Sequence, residues 1–126
     1  MKRLILSFTV LCLLFVYNYF SEKYVLDYCT SLDNSLNECA TQIKIKKYSS
    51  AKESANELIK NWEKYDSLLS VFIGDGAVIE PQKSIISIYS SINDENYSYC
   101  LIAIRECQGY IHEIAENTQT NFANIL

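Results

Sequence analysis

Residues 4–20 form an uncharged, mostly apolar run, LILSFTVLCLLFVYNYF, directly behind Lys2 and Arg3. No other feature of the chain limits its fold so strongly. As a helix the run is about 25 Å long, slightly under the ~30 Å hydrocarbon core of a bilayer. Tyr17, Tyr19, Tyr24 and Tyr28 stand at or just beyond its far end, and amphipathic rings are favoured at headgroup level. Three readings fit such a run: a retained membrane anchor, a cleaved export signal, or the core helix of a soluble protein. A cleaved signal ends in small residues, whereas the exit here is VYNYFSEK, bulky throughout. Cys12 follows TVL, which lacks the small residues of a lipoprotein site. The expected reading is therefore an uncleaved signal-anchor over residues 1–22, with residues 23–126 as a separate helical domain. The basic flank stays in the cytoplasm, which places that domain on the extracytoplasmic side of the cell membrane.

Charge narrows the partners. Leaving out residues 1–20 removes Lys2 and Arg3 and no acid, so nine basic and fifteen acidic groups remain, a formal charge of −6. Phosphate binding needs a basic surface, so nucleic acid is not an expected partner. The short cluster Lys44, Lys46 and Lys47 reads as a solvated turn. With 3 Gly and 1 Pro, the chain has few of the turn residues an all-β fold needs.

Helical spacing accounts for most of the chain. Val25, Cys29, Leu32, Leu36, Cys39 and Ile43 recur at alternating steps of four and three, the seam of a helix packed on other helices. The seam starts just behind the apolar run, so one continuous helix is predicted to run from the membrane to about Lys46. Ser50 and Glu53 have the spacing of a capping box that opens a second helix. That helix carries Ala51, Ala55, Leu58, Trp62, Tyr65, Leu69 and Phe72 and stops at Gly74. A third, marked by Ile85, Ile88 and Ile92, is expected to begin near Pro81, a residue tolerated in a first turn. Asn93 or Asp94 is read as the cap of a fourth, whose face is Tyr97, Leu101, Ile104, Ile111, Ala115, Thr118 and Phe122, widened by Cys100, Cys107 and Ile114. Short connections favour antiparallel neighbours. The expected fold is all-α: a transmembrane helix followed by an up-down antiparallel bundle of about four helices. No internal repeat is evident.

Few residues invite a chemical role. Cys29 and Cys39 are about 15 Å apart along one helix, and Cys100 and Cys107 about 10 Å apart along another. A bridge needs Cα atoms within about 7 Å. Neither pair closes within its own helix. One bridge between the first and fourth helices is feasible, with Cys39 and Cys107 as the pair, against the alternative of free cysteines buried as small hydrophobes. There is no C-x-x-C, and the only histidine, His112, has no metal-ligand spacing, so no metal or cofactor is expected. His112 and Cys107 are five residues apart, on different faces, and form no nucleophile pair. Glu80, Glu106, Glu113 and Glu116 read as solvated carboxylates, and Asp75 in the IGDG turn belongs to no calcium-loop pattern. Trp62 reads as a packing anchor. Ten tyrosines leave room for a groove lined by rings with polar tips.

The basic-then-apolar start, the stretch NWEKYDSLLSVFI around Trp62, the acidic turn after it and the closing Asn121 and Phe122 give the chain its character. In these features, nearly end to end, it resembles a family of short bacterial proteins, the domain-of-unknown-function family 4363. The resemblance implies an anchored, all-helical protein with no catalytic residues to carry over. The function expected on these grounds is non-enzymatic. It is that of a membrane-anchored module, in contact with the lipid bilayer, that interacts with a membrane or envelope protein. An extracytoplasmic small-molecule or peptide sensor is the alternative, and a thiol-redox enzyme the third reading.

Overall fold

The computed structural model describes the backbone of residues 1–125 and the side chains of residues 1–120. Four α-helices follow one another: α1 (Lys2–Lys44), α2 (Tyr48–Ile73), α3 (Asp75–Asn93) and α4 (Tyr97–Ile125). Each packs on the next, and α4 closes on α1. This is the up-down ring that short connections impose.

The first helix explains its own length. Nothing between Lys2 and Lys44 breaks it: there is no Pro or Gly, and the hydroxyls of Ser7, Thr9, Ser21, Thr30 and Ser35 each donate to the carbonyl four residues back. The apolar stretch is long enough to cross a membrane, and none of it is buried against the rest of the protein. Partial cover begins at Asn18 and Ser21. From Val25 on, all six residues of the predicted seam are buried.

The turns depart from expectation in instructive ways. α2 begins at Tyr48, with Lys47 as its N-cap and no side-chain cap bond, so the Ser50–Glu53 box does not form. Because the helix already starts at Tyr48, Ser50 lies inside its first turn and not at the cap, and the turn before it closes the end of α1. Lys46, at φ 65°, donates to the Ile43 carbonyl and Lys47 donates to that of Gln42. This is the double bond of a Schellman close. α3 begins six residues before Pro81, immediately after Gly74, so Pro81 lies inside the helix and is buried. Gly74 is the whole α2–α3 connection. Its φ of 93° and ψ of 152° fall in a region open essentially to glycine alone. Asn93 and Asp94 end α3; it is Asn96 whose side chain accepts the Tyr99 amide, at 3.4 Å, at the start of α4.

The buried line of α4 is Cys100, Ala103, Ile104, Cys107, Ile111 and Ile114. Tyr97, Leu101, Ala115 and Thr118, read as its centre, lie at the margins with partial cover. The side chain of Phe122 lies outside the described residues.

The structure also contains a repeat that the sequence hides. The bonds of the α1–α2 turn are Ile45 to Thr41, Lys46 to Ile43, Lys47 to Gln42 and Ala51 to Lys47, each amide to carbonyl. Shifted by 49 residues, all four recur in the α3–α4 turn, where Glu95 takes the place of Lys46 with φ 60°. The same shift carries buried Cys29, Leu32, Leu36, Cys39 and Ile43 onto buried Val78, Pro81, Ile85, Ile88 and Ile92. It carries Ala51, Ala55, Leu58 and Trp62 onto Cys100, Ile104, Cys107 and Ile111. The bundle is thus two helical hairpins of one pattern. Tyr48 and Tyr97, equivalent in the two halves, stack 3.9 Å apart with their planes 10° from parallel.

Candidate functional site: an aromatic cleft between α1 and α2

The lower half of the bundle, towards the apolar end of α1, is lined with rings. Tyr28 faces Tyr65 at 5.5 Å between centroids, and Tyr24 faces Phe72 at 5.3 Å. These edge-on and tilted pairings suit the ring quadrupoles. The spacing does this: Tyr24 and Tyr28 are one turn apart beside the seam of α1, and Tyr65 and Phe72 are two turns apart beside that of α2. Between the helices the rings leave an open cleft of about 420 Å³, lined by Tyr24, Tyr28, Leu58, Asn61 and Tyr65, with Asp27, Ser31 and Ser35 on its α1 wall. The hydroxyl oxygens of Tyr24 and Tyr28 are buried without a hydrogen-bond partner. A buried polar atom left unpaired costs about 1–3 kcal/mol, so these two hydroxyls stand ready for a polar group. Burial, with Tyr24, Cys29, Asp66 and Tyr65 behind it, pushes the Tyr28 hydroxyl far above its usual range.

A second cleft, of about 510 Å³, opens at the lower end of the bundle, with Asn18, Glu22, Phe72, Ile73, Asn117 and Thr118 on its walls. Its surface is mixed, and one acid faces it.

The cysteines are all free; Cys12 is exposed and the other four are buried. Burial pushes the Cys29 thiol up to about 11, with Asp33 adding to the effect. Burial pushes Cys39 up to about 12, helped by Cys100 and Glu38, and Cys107 up to about 12, helped by Asp33. Cys100 is raised by burial and partly relieved by a bond with Ser91. Cys39 and Cys107, the expected bridging pair, are both free and buried in this structure. The thiol that perturbs Cys39 is Cys100. Cys39 Sγ lies 3.6 Å from the Ala51 carbonyl oxygen, and Cys100 Sγ lies 3.7 Å from that of Ile88.

His112 is exposed, as expected of a surface histidine, but it has a neighbour that no local pattern announced: Asp33 Oδ1 lies 3.4 Å from its Nε2. One turn on along α1 and one turn back along α4, Gln108 donates to Asn37 Oδ1 at 2.6 Å. Glu80, Glu106 and Glu113 surround Tyr110 and raise its hydroxyl pKa, Glu80 most, and all three are exposed. Glu116 and Asp75 are exposed as well. Among the described residues no group of His, Cys, Asp and Glu has the arrangement of a metal site. Trp62 is 2% exposed and sits in the core. The Lys44–Lys47 cluster is the exposed turn between α1 and α2.

These features define an antiparallel four-helix bundle whose first helix is prolonged by an exposed apolar stretch. The chain belongs to the family described as a domain of unknown function, DUF4363, whose profile matches residues 19–125. The match takes in the bundle and leaves the apolar run, up to Asn18, outside it. No curated relative and no solved structure matches the chain.

Proposed function

We propose that the chain is a single-pass, membrane-tethered module with its bundle on the extracytoplasmic side. It works by docking onto another membrane or envelope protein and carries out no reaction itself. The observation that carries this reading is the unbroken α1, whose apolar stretch has no residue buried by the bundle. Lys2 and Arg3 at the far end of that stretch support this orientation through the positive-inside rule. A short outward stripe on α3, Ile86 and Tyr89 three residues apart, offers a helix face for a partner. The protonated, buried thiols run against a redox role, which needs a depressed pKa and an accessible sulfur.

Orientation is tested by treating intact cells with a membrane-impermeant amine reagent. The expected result is modification of Lys46, Lys47 and Lys64, all exposed on the bundle; bundle lysines that react only after lysis would reverse the topology. Docking is tested by crosslinking in membranes. One dominant partner band is expected, lost in Ile86→Glu, and a pattern indifferent to that change would remove the stripe from the interface.

The aromatic cleft supports a second reading, a sensor for a small polar ligand. Its orphaned Tyr24 and Tyr28 hydroxyls are the specific observation. A compound that raises the melting temperature of the wild type but not of Tyr28→Phe would favour it, at a size set by mass action.

A further inference from the structure

We infer that the α2–α3 turn is a lipid-contacting foot, seated at the boundary between hydrocarbon and headgroups. The inference rests on the tether proposed above and deepens it by naming a second place where the protein meets the bilayer. Its starting point is a mismatch of lengths. Counted from Arg3 at the inner edge, a hydrocarbon core of ~30 Å takes up about 20 helical residues, so its outer edge falls near residue 23 of α1. The bundle does not wait for that level. The Phe72 ring lies 6.2 Å from that of Tyr17 and 5.3 Å from that of Tyr24, which sets the end of α2 opposite residues 17–24 of α1. The turn is thus held level with the outer edge of the core.

The side chains there suit that position. Val71 is 70% exposed, Leu68 45% and Ile79 48%, and they lie on the last turns of α2 and the first turn and a half of α3, either side of Gly74. In water such residues gain nothing by projecting. Against the acyl boundary each removes apolar surface from solvent, at about 25 cal/mol per Å². Phe72, the neighbour of Val71 in sequence, brings its ring to 6.2 Å from that of Tyr17 on the apolar helix. Asp75 and Glu22 limit the depth. Asp75 opens α3, where a carboxylate is favoured by the helix N-terminus, and both acids need the headgroup layer rather than hydrocarbon.

The test uses the full chain in phosphatidylethanolamine–phosphatidylglycerol vesicles carrying doxyl-labelled lipid. Single tryptophans are introduced by Phe8→Trp in the apolar run, Val71→Trp in the foot and Ile102→Trp on α4, against the constant background of buried Trp62. The Phe8→Trp signal should be quenched by lipid labelled in mid-chain. The Val71→Trp signal should be quenched by lipid labelled near the headgroup and sheltered from aqueous iodide. Ile102→Trp, next to the far turn, should respond to iodide alone. Lipid quenching at position 8 with only iodide quenching at position 71 would overturn the foot and leave the tether standing. Loss of lipid quenching at position 8 would overturn both.

Discussion

Cys39 and Cys100 each hold a thiol over the backbone of a neighbouring helix, and both are sealed from water. Such thiols bind their protons more tightly in the folded chain than in the unfolded one. Their stabilising effect is therefore complete below pH 9.0, the ordinary thiol value, and is lost as pH rises toward the folded values of about 11 for Cys29 and about 12 for Cys39 and Cys107. Urea midpoints should fall steadily above pH 9.0, and replacing Cys39 with Ala should flatten that fall. A midpoint that does not move with alkaline pH would show the thiols to be solvated. At neutral pH, a disulfide reagent should leave Cys29, Cys39, Cys100 and Cys107 unmodified until the chain is unfolded. In the same core, Leu36→Ala removes a side chain with no exposed surface and should cost about 2–5 kcal/mol in a denaturant melt.

At the scale of the elements, the turns set the geometry and carry the strain. Lys46 and Glu95 both occupy the left-handed region, at φ 65° and 60°. A residue with a Cβ is disfavoured there by about 1–2 kcal/mol. Lys46→Gly should therefore raise stability, by something under 1 kcal/mol once the extra freedom of glycine in the unfolded chain is set against the relief. Gly74→Ala should do the opposite, losing about 1–3 kcal/mol, because its backbone region excludes a side chain. Gly76→Ala is the control: it lies within helical α3 with no atom near the added Cβ, so it should stabilise by about 0.5–1 kcal/mol. Melting temperatures of the three variants order these effects directly.

The same turns show what could be read from sequence and what could not. All six seam positions of α1 were legible, because a period of 3.5 survives any detail of the ends. The start of α3 was not, since a proline in an interior turn looks the same on paper as one in a first turn. The Ser50 box fails because α2 starts at Tyr48, with Lys47 as its N-cap, which leaves Ser50 inside the first turn. The 49-residue repeat is hidden in the sequence because Ile43, Tyr48 and Ser49 are nearly all that match Ile92, Tyr97 and Ser98 around the turns. What recurs is burial and bonding, which many residues satisfy. In the cleft, the tyrosines were visible as a group. The pairing of Tyr28 with Tyr65, like that of His112 with Asp33, exists only once the helices are docked.

For the whole molecule, the two hairpins close a core that owes nothing to the apolar run. Residues 1–16 have no buried member. A chain beginning at Tyr17 is expected to be helical, soluble and cooperative in a thermal melt, with a midpoint near that of the full chain in detergent. A loss of helical signal beyond the missing residues would mean that the run supports the bundle. Because α1 crosses from one part to the other without a bend, it also fixes a distance. From residue 23 to Lys44 it rises about 30 Å, and the stacked Tyr48 and Tyr97 stand at its top. On the proposed tether, that crown stands about 30 Å above the lipid, a height that a neighbour must span to meet it.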